Sequence, residues 1–202
     1  MPEPIATEKA DANITRKEIL SYSLMVLLEN LNAKQRAVFI LKEAFDYDHK
    51  EIASVLGITE ENSRKIFSRA KEELKEPKLT DSASISNDYL EKYIEVIYKA
   101  DTRQLENLLQ KDIVLISDGG GKVSAALNPV SGRAQVVKFI LGINKKFYSK
   151  NEIVIKKSNI NHQPALLYYH DNTLVNCQVF NFENGHISRI YFIRNPDKLQ
   201  SL

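Results

Sequence analysis

The chain has 202 residues, 43% of them hydrophobic and 27% charged, with a formal net charge of +2. That composition belongs to a globular chain large enough for one or two cores. No apolar run is long enough to span a bilayer, and the leading MPEPIATEKADAN lacks a basic-then-apolar signal pattern, so no membrane partner is expected. The single cysteine, Cys177, excludes internal disulfides and fits a reducing, cytoplasmic setting.

Residues 1–14 read as an extended polar lead, because Pro2 and Pro4 restrict the residues before them. Thr15 with Glu18 forms a capping-box pattern that opens an apolar helix through Leu31. Asn32 with Gln35 opens a second, expected to bury Val38, Ile40, Leu41, Ala44 and Phe45. Asp48 with Glu51 opens a third, with Ile52, Ala53, Val55 and Leu56 as its buried stripe. Gly57 is placed to turn the chain in the left-handed region, and Thr59 to cap a fourth helix whose Glu60 and Glu61 suit the positive end of the dipole. These helices make an all-α domain over residues 15–76, ending in a helix-turn-helix.

On the fourth helix, Ser63, Ile66, Phe67, Ala70 and Leu74 share one side, while Arg64, Lys65 and Ser68 share the other with Asn62 and Arg69 on its flank. Fork-shaped and amide donors on an open face are what a major-groove reader needs. Thr59 and Asn62 lie near the helix entrance, and His49 and Lys50 could reach phosphate. The competing reading is an ordinary solvated face. Residues 1–80 hold 13 basic and 14 acidic side chains. Such a domain neutralises few phosphates alone and suits a module held on DNA by a larger machine.

Residues 77–86 have the Pro, Ser and Asp content of a linker. Residues 87–202 then run helix, helix, strands from Ile113 and over 123–127, a helix from Gly132, and four extended runs. Asp171-Asn172 and Asn184-Gly185 are hairpin turn signals. The expected fold is an α+β cone with a curved, mostly antiparallel sheet around helices, enclosing a pocket.

The run from Leu31 to Leu74 resembles region 4 of a bacterial RNA polymerase sigma factor of the extracytoplasmic-function group, and the second half resembles the SnoaL-like, NTF2-like superfamily. Three motifs point to the subgroup in which the two are fused: Pro2-Glu3-Pro4, then Asp118-Gly119-Gly120-Gly121-Lys122, then Asn195-Pro196-Asp197-Lys198-Leu199. The resemblance implies promoter DNA at its −35 element and the β-flap of core RNA polymerase as partners. It also implies an intramolecular regulatory contact made by the three motifs. A region 2 should precede Pro2 in that family, so the chain is expected to be an excised fragment. Residues 1–14 are then a remnant of the linker between regions 2 and 4.

Enzymes of the SnoaL-like superfamily hold an Asp or His in the pocket. Asp118, His162 and His170 are the candidates here, with Tyr168, Tyr169 and Tyr191 as hydrogen-bonding partners. Strand alternation allows at most one of Tyr169 and His170 to face inward. Cys177 reads as a small apolar filler, with a redox sensor as its rival. The favoured reading is either a packed interior or a non-catalytic pocket open to an unidentified small-molecule ligand, without cofactor or metal. The rivals are a SnoaL-like isomerase or hydrolase carrying a DNA-binding tag, and a dimeric ligand-responsive repressor.

Overall fold

The computed structural model describes residues 1–4, 25, 28–74, 87–149, 152–161 and 163–202. Two compact units form: one contains residues 28–74 with Met1 and Pro2, the other residues 87–202 with Glu3 and Pro4. The helix expected from Thr15 lies outside the described residues except near its end, where Leu28 and Leu31 are buried. The 77–86 linker lies wholly outside them.

In the first unit, α1 spans Ala33–Glu43, α2 His49–Leu56 and α3 Glu60–Leu74. Both expected capping boxes form at the starts of α1 and α2, satisfying backbone N–H groups that have no partner inside the helix. Gly57 has φ +62° and ends α2, where any side chain would be strained. Phe39 packs on Phe67 with ring centroids 6.0 Å apart, and Gln35 Nε2 donates to Glu73 Oε1 at 2.7 Å, so α1 is held along α3.

Two expected core residues are outside this core. Val55 is 61% exposed, because it is rotated about 100° from the mean direction of Ile52, Ala53 and Leu56 on an α-helix. Phe45 is 53% exposed, because α1 has ended at Glu43 and the chain turns at Asp46, which has φ +59°. Ile40 and Leu41 are only half-buried.

The second unit has α4 (Asn87–Tyr98), α5 (Thr102–Leu108), β1 (Leu109–Asp118), β2 (Val130–Ser131) and α6 (Arg133–Ile143). A single π turn, Asn144–Tyr148, continues α6. Then come β3 (Ile153–Ile160), β4 (Gln163–His170), β5 (Thr173–Glu183), β6 (His186–Ile193) and α7 (Pro196–Leu199). Among the described residues the sheet order is β2-β1-β6-β5-β4-β3; only β1 and β6 run parallel. The α+β cone is therefore the fold. The strand expected over residues 123–127 does not form: Val123 N–H donates back to Gly119 O at 3.2 Å, and pairing resumes only at Val130.

Both hairpin turns carry two consecutive left-handed residues, Asp171 and Asn172 at +48° and +61°, Asn184 and Gly185 at +51° and +76°. That geometry matches the twist of the flanking strands. Among the described residues the cone's interior holds packed aromatic rings: Tyr93 meets Phe180 edge-on at 5.0 Å, and Tyr148 stacks on Tyr168 at 5.0 Å. Each large aromatic so buried contributes about 1.5–3 kcal/mol.

Candidate nucleic-acid interface and a clasp between two motifs

The α2–turn–α3 hairpin presents its outer face as the residue pattern requires. Asn62, Arg64, Lys65, Ser68 and Arg69 are exposed, while Ser63, Ala70 and Leu74 are buried. Arg64 is paired with Glu60, and Lys65 Nζ lies 2.6 Å from Glu61 Oε1, each one turn back along the helix. Such exposed pairs are worth about 0.3–0.5 kcal/mol, so they orient the two cations without withholding them from a stronger anion. Thr59 caps α3, its Oγ1 accepting from Asn62 N–H at 3.2 Å.

His49 is tied inward rather than left free. Its Nδ1 lies 3.0 Å from Ser63 Oγ, and its ring meets Phe67 edge-on at 5.5 Å. Burial, then the charges of Arg64 and Lys42, hold its pKa below the ordinary histidine value. The imidazole thus bridges α2 to α3. Lys50, next to it, is exposed. The His49–Ser63 contact was not legible in sequence, since nothing in a serine on an apolar stripe names its partner.

Two of the three motifs meet at one end of the cone. Lys198 Nζ donates to Asp118 Oδ2 at 2.9 Å, and Lys122 Nζ reaches both carboxylate oxygens of Asp197 at 2.7 Å. Asp118 Oδ1 also accepts from Gly120 N–H at 2.9 Å, so its carboxylate holds both its own loop and α7. Burial raises the Asp118 pKa, but the hydrogen bond from Lys198, the Gly120 N–H and the Lys198 charge outweigh it and leave the value below 3.8. Gly120 has φ +60°, and a Cβ there would stand 2.4 Å from Asn195 Cγ. Gly121 has φ +71° with open space around it, and Gly119 is buried against Val123 O.

Asn195 caps α7 by accepting from Asp197 N–H at 3.1 Å, Pro196 occupies the first turn, and Leu199 is buried. Of the Pro2-Glu3-Pro4 motif, Pro4 is buried and belongs with Glu3 to the cone's unit, while Pro2 belongs to the first unit. Arg194, which sequence reading passed over, completes the clasp: its backbone N–H donates to Asp118 O at 2.8 Å and its Nη1 to Ser124 O at 2.6 Å. The complementary order of charges, Asp then Lys in one motif and Asp-Lys in the other, was the sequence signal for this pairing.

Among the described residues, the candidates Asp118 on β1 and His170 on β4 stand on strands separated by β6 and β5. Asp118 is committed to Lys198. His170 is 40% exposed at the sheet's rim, 3.7 Å from Asp171, and Lys156 Nζ sits 4.9 Å above the Tyr169 ring. His162 lies outside the described residues. The inward tyrosines are Tyr93, Tyr148 and Tyr168; Tyr168 shares the core face of β4 with Leu166 by simple alternation, and the extra residue of the β4–β5 bulge lies on β5. Tyr93 Oη donates to Gln178 Oε1 at 3.2 Å, and Asn176 Nδ2 to Tyr148 Oη at 2.9 Å. Burial pushes the Tyr148 phenol up to about 12 and Tyr168 higher, so both stay protonated near neutrality. Cys177 is fully buried, and burial drives its thiol pKa far up, which removes the thiolate a redox sensor needs. Tyr191 is also fully buried. Among the described residues no group of His, Cys, Asp and Glu is arranged to hold a metal, and no helix is long and apolar enough to cross a membrane.

A family model for sigma-70 region 4 matches residues 21–74. Over 212 aligned positions the chain is 27% identical to the ECF RNA polymerase sigma factor SigJ of Mycobacterium tuberculosis, covering 98% of this chain and 68% of that protein. It is 25% identical to the probable ECF RNA polymerase sigma factor SigI of the same species, covering 94% of this chain and 63% of that one. The crystal structure of SigJ matches with a TM-score of 0.77 at 25% identity, over 100% of this chain and 74% of SigJ. The chain thus spans about two thirds of the length of these curated relatives. With a hairpin matched by the region 4 model and relatives that align through both units, the chain carries a sigma-70 region 4 and is similar over nearly its whole length to extracytoplasmic-function RNA polymerase sigma factors.

Proposed function

We propose that α3 reads the promoter −35 element in the major groove, with Arg64, Lys65, Asn62, Ser68 and Arg69 facing the bases and nearby phosphates. His49 acts mainly by positioning, while Lys50 touches phosphate. The observation that carries this reading is the exposed donor face of α3 set directly opposite its buried Ser63–Ala70–Leu74 side. Neighbouring surfaces of the same unit would contact the β-flap of core RNA polymerase, in the cytoplasm. Fluorescence anisotropy of a −35 duplex with the polymerase-bound protein tests it, using Arg64→Ala and Lys65→Ala against wild type at fixed salt. Unchanged affinity in both variants would overturn it.

The cone domain acts in this reading as a regulator without chemistry of its own. The clasp between residues 118–122 and 195–199 builds a rigid end on the cone, and the membership of Glu3 and Pro4 in that unit supports docking of the lead segment there. The packed interior, with Asp118 committed to an ion pair, favours a structural cone over an isomerase or hydrolase. A region 2 on the amino-terminal side of the lead would then be held through residues 1–14. Charge reversal at Asp118 and Lys198 together, which restores the pair, should leave transcription output closer to wild type than either reversal alone.

A further inference from the structure

Helix α6 contains a glycine that packing does not explain. An interior glycine weakens a helix, yet a Cβ built at Gly142 meets nothing within 4 Å, so no close neighbour requires the small residue. Gly142 instead opens a notch. On one side lies a groove of about 440 Å³ floored by Phe139, Ile143 and Phe147, a size suited to a small organic ligand.

Two further features converge on the groove. Lys138 and Lys146 stand at its rim, one helical turn before and after Gly142, and neither has a carboxylate partner among the described residues. The π turn Asn144–Tyr148 begins two residues after the notch and sets Lys146 and Phe147 at its edge; such turns recur at functional sites because they re-aim side chains. The groove on the other side of α6 includes Glu106 in its lining, so an anion is better received on the Phe139 side.

We propose that this groove binds an amphipathic organic anion, an aliphatic or aromatic carboxylate whose apolar body lies on Phe139, Ile143 and Phe147 beneath the Gly142 notch and whose charge meets Lys138 or Lys146. The site is separate from the packed cone interior and from the Tyr169, His170 and Cys177 positions considered above. It touches the clasp through one residue. The Arg194 guanidinium lies 5.5 Å from the Phe147 ring centroid and also holds Ser124 O, so a ligand that moves Phe147 acts on the segment joining β6 to α7. Binding does not depend on the promoter-reading role, and that link to the clasp is its point of contact with the proposed regulation.

The test is isothermal titration of the full chain with decanoate and 1-naphthoate, and with decanol as the uncharged comparison. Saturable binding of a carboxylate, reduced at least tenfold in Gly142→Leu without a lower Tm, is expected. Lys138→Gln/Lys146→Gln should weaken the carboxylates several-fold and leave decanol unchanged. Absence of saturable binding by either acid overturns the proposal, as does binding indifferent to Gly142→Leu. Equal affinity for acid and alcohol overturns the anion assignment. An acidic amphipathic peptide that displaces every carboxylate at lower concentration overturns it in favour of a protein partner.

Discussion

Lys198 Nζ sits 2.9 Å from Asp118 Oδ2 across 80 residues of chain, with both side chains about four-fifths shielded from water. The companion pair, Lys122 with Asp197, is more than half exposed on both sides. Shielding decides their unequal worth. Asp118→Asn should destabilise the cone by about 1–3 kcal/mol in urea unfolding, since it removes the charge from the carboxyl side of a shielded ion pair. Lys122→Ala should cost about 0–1 kcal/mol. Equal costs would mean that shielding is not what separates the pairs.

The same carboxylate fixes a pH dependence. Its folded pKa lies below the ordinary 3.8, so its contribution is fully present above that value and is lost as pH falls through the lower, folded one. The stability gap between wild type and Asp118→Asn should therefore shrink as the solution is acidified below about pH 4. A gap that stays constant down to acid unfolding would contradict this.

Neighbouring glycines in the clasp should respond differently to alanine. At Gly120 the new Cβ meets Asn195 at 2.4 Å on top of a left-handed backbone, whereas at Gly121 only the backbone strain applies. Gly121→Ala should cost about 1 kcal/mol and Gly120→Ala clearly more, with α7 displaced. Thermal melting, with amide protection of residues 195–199 as a local probe, separates the two.

On α3, stability and DNA binding should come apart. Arg64→Ala removes an exposed pair with Glu60 and should leave unfolding within about 0.5 kcal/mol of wild type, while lowering promoter affinity of the polymerase-bound protein by about 1–3 kcal/mol. Ser63→Leu should do the reverse in kind: it forces bulk into a fully buried position and costs about 1–3 kcal/mol of stability before any DNA is added.

Cys177 should be inert in the folded protein. A thiol-specific reagent should react only at the rate of unfolding, because the side chain is fully buried and its thiolate strongly disfavoured. Rapid modification of the native chain would revive the redox reading.

Much of this architecture was legible in the residues. Capping pairs such as Asn32–Gln35 and Asp48–Glu51 are local chemistry, and both helices begin where those pairs place them. The Asn184-Gly185 turn is equally local. What stayed hidden depends on distant partners or on register. The 123–127 run is mostly apolar, but the Gly119 carbonyl takes the Val123 N–H and β1 finds its neighbour at Val130. Of the candidate tyrosines on β4, alternation allows only one to face inward, and that Tyr168 rather than Tyr169 does so depends on a register that only the neighbouring strands fix. The clasp was half visible: the motifs could be named from resemblance, while the Asp118–Lys198 pairing needed the parallel packing of β1 beside β6.

The most direct measurement is site-specific photocrosslinking from positions 64, 65 and 69 of α3, with the protein assembled on core RNA polymerase and promoter DNA. Crosslinks confined to the −35 element, and lost when that element is scrambled, are the expected result. Crosslinks that ignore the scrambling, or none from any of the three positions, would contradict the role assigned to this helix.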